Sequence, residues 1–219
     1  RVLDSRHDDA DAHNNLGMCY LKAGRHEDAQ DAFVLAVHFR PQFAQAHYNM
    51  ALAALEGRDY AHAVACRERA LELQPEFAAA HNTLGYVLTH QTGDFARGAA
   101  HIRAALKSSP ADPDVLCNYS AVLAQEGSAE AALALCEQLL AAHPEMHEAR
   151  LNRALAQLKR GRFAQAWPDY EARKLARGNY VPRNLPFAEW QGQPLAGRKL
   201  LSYAEQVLGD QSMFGSCGP

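Results

Sequence analysis

The 219-residue chain holds 22 Lys and Arg, 25 Asp and Glu and 48% hydrophobic residues, a soluble globular composition long enough to bury a sizeable core without disulfides or metal. Its net charge of −3 divides unevenly, with 11 basic and 19 acidic side chains in residues 1–146 and 11 and 6 in residues 147–219. That balance excludes an overall basic field for nucleic acid, although the C-terminal part can draw anions locally. No apolar run approaches the roughly 18 residues of a membrane span and no signal peptide opens the chain, so neither a membrane nor export is expected. The five cysteines, Cys19, Cys66, Cys117, Cys136 and Cys217, are scattered and form no CxxC pair. Free thiols in a reducing compartment, hence a cytoplasmic protein without a metal site, are the expectation.

In chain order, residues 1–9 (RVLDSRHDD) resemble the tail of a second helix whose partner is missing, as in a piece of a longer protein. From residue 10 the text becomes periodic. Pro41, Pro75, Pro110 and Pro144 recur at intervals of 34, 35 and 34 residues, each ending a helical pattern. On the same clock lie Leu16-Gly17, Met50-Ala51, Leu84-Gly85 and Tyr119-Ser120 in a first helix, then Gly24, Gly93, Gly127 and Gly161 at a turn. A second helix follows with Ala29, Ala63, Gly98, Ala132 and Ala166, and with Phe33, Ile102, Cys136 and Tyr170 one turn later. The extra residue of the third unit falls in LTHQTGDF, at the turn between helices. Five units result, at 10–43, 44–77, 78–112, 113–146 and 147–178, and they predict ten helices of about 12 to 15 residues each. Such a pair cannot bury two apolar faces alone, so neighbours must stack into an all-α solenoid. Gly17 and Gly85 each cost roughly 1 kcal/mol of helix propensity against Ala, which close helix approach explains.

This pattern resembles the tetratricopeptide repeat, and the resemblance implies a right-handed superhelix whose first helices line a concave groove for a protein or an extended peptide. Immediately before the Leu-Gly position stand Asn15, Asn49, Thr83, Asn118 and Asn152, four asparagines in five repeats. An Asn amide offers both a donor and an acceptor to a peptide backbone. The arrangement is similar to the asparagine ladder in the repeat region of O-linked N-acetylglucosamine transferase, where it holds substrate polypeptide. The spacing fits a second role equally: each Asn bonds to a neighbouring helix and keeps the array in register.

His13, His47 and His81 also recur every 34 residues. Equivalent positions on stacked helices lie about 8 to 10 Å apart, too far for one ion with ligand bonds of about 2 Å, so packing is their expected role. Tyr20, Tyr86, Phe33 and Phe95 are expected in the core. In the fifth repeat Arg150, Arg153, Lys159, Arg160 and Arg162 form either a solvated face or a surface for an anionic partner, with Arg153 where the other repeats are apolar.

Beyond residue 178 the prolines at 182, 186 and 194 and the glycines at 192 and 197 mark a linker, 179–198, followed by KLLSY and EQVLGD, a short strand and a tight turn. With Trp167, Tyr170, Glu171, Arg173, Trp190, Gly192, Leu195, Gly197, Arg198, Glu205, Gln206, Leu208, Gly209 and Asp210, this region is similar to the junction in bacterial proteins that join such an array to a glycosyltransferase-like domain of the heptosyltransferase type. The resemblance implies that 199–219 is the truncated start of that domain. Its loop would hold Glu205, Gln206, Gly209 and Asp210, with Asp210 on the acceptor side or simply as a helix N-cap. Nine residues follow Asp210, so a sugar-nucleotide site is expected only in an intact parent, and this chain is expected to have no cofactor and no catalytic residue. The expected function is therefore a protein- or peptide-binding scaffold. The alternative is the acceptor-recruiting N-terminal region of a bacterial glycosyltransferase. The segment to about Trp190 is expected to cover the outer face of the fifth repeat around Trp167 and Tyr170.

Overall fold

The computed structural model describes residues 9–176. The expected linker at 179–198, the transferase-like start at 199–219 with Glu205, Gln206, Gly209 and Asp210, the cover over Trp167, and all but Asp9 of the expected remnant at 1–9 lie outside these residues. Among the described residues the chain forms ten α-helices and no strand, arranged as five antiparallel hairpins. They are α1 (Ala10–Lys22) with α2 (His26–Phe39), α3 (Ala44–Glu56) with α4 (Tyr60–Leu73), and α5 (Ala78–His90) with α6 (Phe95–Ser108). The fourth pairs α7 (Pro113–Gln125) with α8 (Ala129–Ala142), and the fifth α9 (His147–Lys159) with α10 (Phe163–Tyr170). Each helix packs on its hairpin partner, and each second helix packs on the first helix of the next hairpin.

Local sequence sets the helix ends. Asp9 caps α1 by accepting from the Asp11 and Ala12 amides at 3.0 and 3.2 Å, and Asp112 caps α7 in the same way with Pro113 at its first position. Each of α2, α4, α6 and α8 stops two residues before a proline. Arg40, Gln74, Ser109 and His143 swing to φ of −138°, −140°, −140° and −133°, because the following ring disfavours helical backbone. The turn inside the first, third, fourth and fifth hairpins uses Gly24, Gly93, Gly127 and Gly161 at φ between 71° and 88°. In the second hairpin the corresponding residue is Arg58, at φ 59°.

The core is built largely of alanine, and close approach follows. A Cβ placed on Gly17 would lie 2.5 Å from Phe33, and one on Gly85 would lie 2.6 Å from Ile102 and 2.9 Å from the Gly98 carbonyl. These contacts fix how each second helix crosses its partner. The last helix departs from expectation: α10 has 8 residues and passes into a 3-10 turn at Glu171–Lys174, so Glu171 and Arg173 stand in that turn and not in the helix. Pro168 lies inside α10 and supplies no N–H to the helix ladder, which accounts for the early end.

Candidate ligand groove

The first helices α1, α3, α5, α7 and α9 form one layer, with α1 touching α3, α5 touching α7 and α7 touching α9. All five asparagine-ladder positions lie on this layer, and their side chains differ in what they do. Asn49 donates its amide N–H to Asn14 Oδ1 at 2.8 Å while Gln45 Nε2 donates to Asn49 Oδ1 at 3.0 Å. Asn118 donates to Asn82 Oδ1 at 2.9 Å. Asn152 donates to the Cys117 carbonyl at 3.0 Å and to Ser120 Oγ at 3.1 Å. In each case the acceptor belongs to the first helix of the preceding hairpin, so these three amides tie successive repeats together. Thr83 turns inward on its own helix, donating to the Ala79 carbonyl at 2.7 Å. Asn15 is exposed, Asn118 and Asn152 are half-buried, and Asn49 is only 3% exposed.

The recurring histidines close the loops between repeats. His47 Nε2 and His81 Nε2 lie 3.1 and 3.0 Å from the carbonyls of Pro41 and Pro75, six residues earlier, and Arg150 donates to the Pro144 carbonyl from the same register. A carbonyl can only accept, so both Nε2 atoms carry the proton. His13 stacks on Phe39 with ring centres 5.5 Å apart. His81 has a further neighbour: its Nδ1 lies 2.8 Å from Nδ1 of His101 on α6.

Of the basic residues of the fifth repeat, Arg150, Arg153, Lys159 and Arg160 are engaged within the array. Arg153, at an otherwise apolar position, forms a two-pronged pair with Asp169 of α10, 2.9 Å on its longer side. Lys159 donates to the Ala124 carbonyl at 2.9 Å, and Arg160 pairs with Glu130 at 2.8 Å. Burial raises the Cys66 thiol to about 11 and the Cys117 thiol to about 12, so both are protonated and inert near neutral pH. Cys19, Cys66, Cys117 and Cys136 are all free. Among the described residues no helix is long and apolar enough to cross a membrane, and no three metal-ligating side chains gather into a site.

Sequence reasoning passed over the acceptors of the ladder, Asn14 and Asn82, although each stands next to a ladder position in HNN and HNT. It also passed over Arg67, which occupies the second-helix position of Phe33 and Ile102. For Arg67 the signal was present as the one charged residue in its column of the repeat, whereas Asn14 and Asn82 share their column with Tyr48, Cys117 and Leu151.

A family model described as tetratricopeptide repeat matches residues 48–113 and 120–182, and a second model of the same description matches residues 10–43. Protein FlbA of Caulobacter vibrioides is 34% identical over 142 residues, which are 63% of this chain and 24% of FlbA, so the chain spans about a quarter of that relative. Among solved structures, YrrB, a tetratricopeptide repeat protein with an unusual peptide-binding site, aligns with a TM-score of 0.62 at 18% identity over 80% of this chain and 90% of its own. PilW, a widely conserved type IV pilus biogenesis factor, aligns with a TM-score of 0.66 at 20% identity over 76% of each chain. At such identities the structural likeness is one of fold.

Proposed function

The chain belongs to the tetratricopeptide repeat family, and from that premise we propose that it is a protein-binding scaffold which holds an extended segment of its partner along the layer of first helices. The observation that supports this reading most is the anchored state of Asn118 and Asn152. Each donates its amide N–H to the preceding repeat and yet remains partly exposed. An Asn amide carries two donors and two acceptor lone pairs, so its one bond across the repeats leaves Asn118 able to meet a peptide N–H and C=O, while Asn152, with both N–H groups given to Cys117 and Ser120, keeps Oδ1 to accept from a peptide N–H. Fixing the amide in advance also lowers the entropy lost when a ligand binds. Register-keeping and ligand-binding are thus two uses of one side chain. Asn15 is the exposed member of the ladder, Thr83 contributes an oxygen, and the buried Asn49 serves mainly to hold α3 against α1. YrrB, with its peptide-binding site, is a precedent for this use of the fold.

The test uses the full chain and a displayed library of disordered decapeptides, with the strongest binder resynthesised with and without methyl groups on its backbone nitrogens. Backbone methylation should abolish binding. Asn118→Ala and Asn152→Ala should each weaken it by about 0.5 to 1.5 kcal/mol, the net worth of one hydrogen bond. If both variants melt earlier while affinity is unchanged, the ladder serves the register alone and the groove reading fails.

A further inference from the structure

His81 on α5 and His101 on α6 meet through their Nδ1 atoms at 2.8 Å. Their ring centres are 5.1 Å apart, the N···N contact plus one ring radius on each side, so the two nitrogens face each other head-on. Two imidazole nitrogens in that position must share one proton, because two lone pairs repel and so do two N–H groups. The direction follows from the other edge of His81. Its Nε2 carries the proton given to the Pro75 carbonyl, so in the neutral ring Nδ1 is a bare acceptor and His101 Nδ1–H is the donor. One bonded series runs from α6 through α5 to the loop that joins the second repeat to the third.

We propose that this pair is an acid-sensitive latch: the proton between the two Nδ1 atoms ties α5 to α6, a first added proton on the bare Nε2 of His101 leaves that bond in place, and a second, on Nδ1 of His81, releases the tie. With both rings charged, N–H would face N–H and cation would face cation. The surroundings favour the latched state near neutral pH. Burial first, then the neighbouring His81 and Arg97 of α6, hold His101 below the usual histidine range, and Glu68 of α4 acts in the opposite sense. Arg97 is itself paired with Glu68 and with Asp94, and at the far end of α6 Ser108 donates to Glu76 in the loop beside Pro75 at 3.1 Å. The sign follows from the depressed value: the unfolded chain takes the proton first, so the stabilisation is complete above the ordinary histidine value and is lost as the pH falls through the lower folded one. His81 immediately precedes Asn82 and Thr83, so release loosens the middle of the first-helix layer. The second repeat supplies an internal control. His47 makes the same bond to a proline carbonyl, while the position matching His101 is Cys66.

The experiment is a pH titration of the histidine ring signals by nuclear magnetic resonance in the full chain, in the wild type and in His81→Gln, His101→Gln and His47→Gln. At neutral pH the wild type should show His81 protonated on Nε2 and His101 on Nδ1. The pair should titrate in two steps, the signature of coupled sites. His81→Gln should merge these into one step with the His101 midpoint moved upward, and His47→Gln should change neither. His90, also buried and lowered, should titrate alike in the wild type and His81→Gln. A His101 ring protonated on Nε2 at neutral pH, or a His101 midpoint indifferent to His81→Gln, overturns the latch without requiring any variant to be less stable.

Discussion

The second hairpin differs from the first and third at the positions that make those two what they are. In the first, Phe33 fills the space over Gly17 and is fully buried. In the third, Ile102 does the same over Gly85, with Gly98 letting the backbones touch. The second has Ala51 and Arg67 there, and Arg58 where the others turn on glycine. Arg67 is 0% exposed, and none of its three guanidinium nitrogens reaches a protein acceptor. Its charge centre lies 5.9 Å from the Tyr48 ring, and burial lowers its proton affinity to about 10. A cation in such a place is costly, while an apolar side chain of like volume is not. The contrast teaches that a solenoid tolerates one poor hairpin because its neighbours share the load through nearest-neighbour interfaces.

The largest effect should come from breaking a good hairpin. Gly85→Leu places a side chain against Ile102 Cγ1, the Gly98 carbonyl and the Ile102 amide nitrogen, at 2.6, 2.9 and 3.1 Å for its first carbon alone. Two of these three obstacles are backbone and cannot step aside, so a loss of about 3 kcal/mol or more is expected. Denaturant titration should show it, and hydrogen exchange should show protection lost in α5 and α6 and at their contacts with α4 and α7. Loss confined to α5 would contradict the shared-stability account.

Mending the poor hairpin should have the next largest effect, with the opposite sign. Arg67→Met keeps an unbranched, flexible side chain and removes the unpaired charge, and a gain of about 1 to 4 kcal/mol is expected from the removal of a buried ionic group. A higher midpoint in thermal and denaturant melts checks it. A lower midpoint would mean that the guanidinium does structural work that the contact with Tyr48 does not reveal.

The hairpins were legible because their grammar is local. A proline stops a helix, a small residue admits a neighbour and glycine takes the turn, so Pro41, Gly17 and Gly24 announce themselves wherever they recur. The shortened α10 was announced too, by Pro168, but the repeat clock outweighed it. The candidate groove was legible only as a column of asparagines. What each one touches depends on the rotation of one helix against the next: Asn49 finds Asn14 across 35 positions and Asn118 finds Asn82 across 36. The same holds for His81 and His101, which come from the two helices of one hairpin 20 positions apart and of which only His81 belongs to a column of the repeat. Arg153 looked like part of a charged surface until its partner Asp169 was in place on the next helix.

The smallest effect isolates the turn from the core of the second hairpin. Arg58 sits at φ 59°, where a side chain costs about 1 to 2 kcal/mol relative to ordinary helical backbone and glycine pays no such penalty. Glycine is also the more flexible residue in the unfolded chain, which takes back part of that gain. Arg58→Gly should therefore raise stability by about 0.5 to 1 kcal/mol, less than Arg67→Met, and the mirror change Gly127→Ala should lower it by a comparable amount at a turn with open space around the added carbon. Since Arg58 and Arg67 lie at opposite ends of the problem, one in backbone strain and one in charge burial, the double variant should gain the sum of the two, measured as a midpoint shift in urea. A gain from Arg58→Gly that vanished in the Arg67→Met background would show that the turn and the buried cation are one strained unit, and the second hairpin would then differ from its neighbours by a single defect.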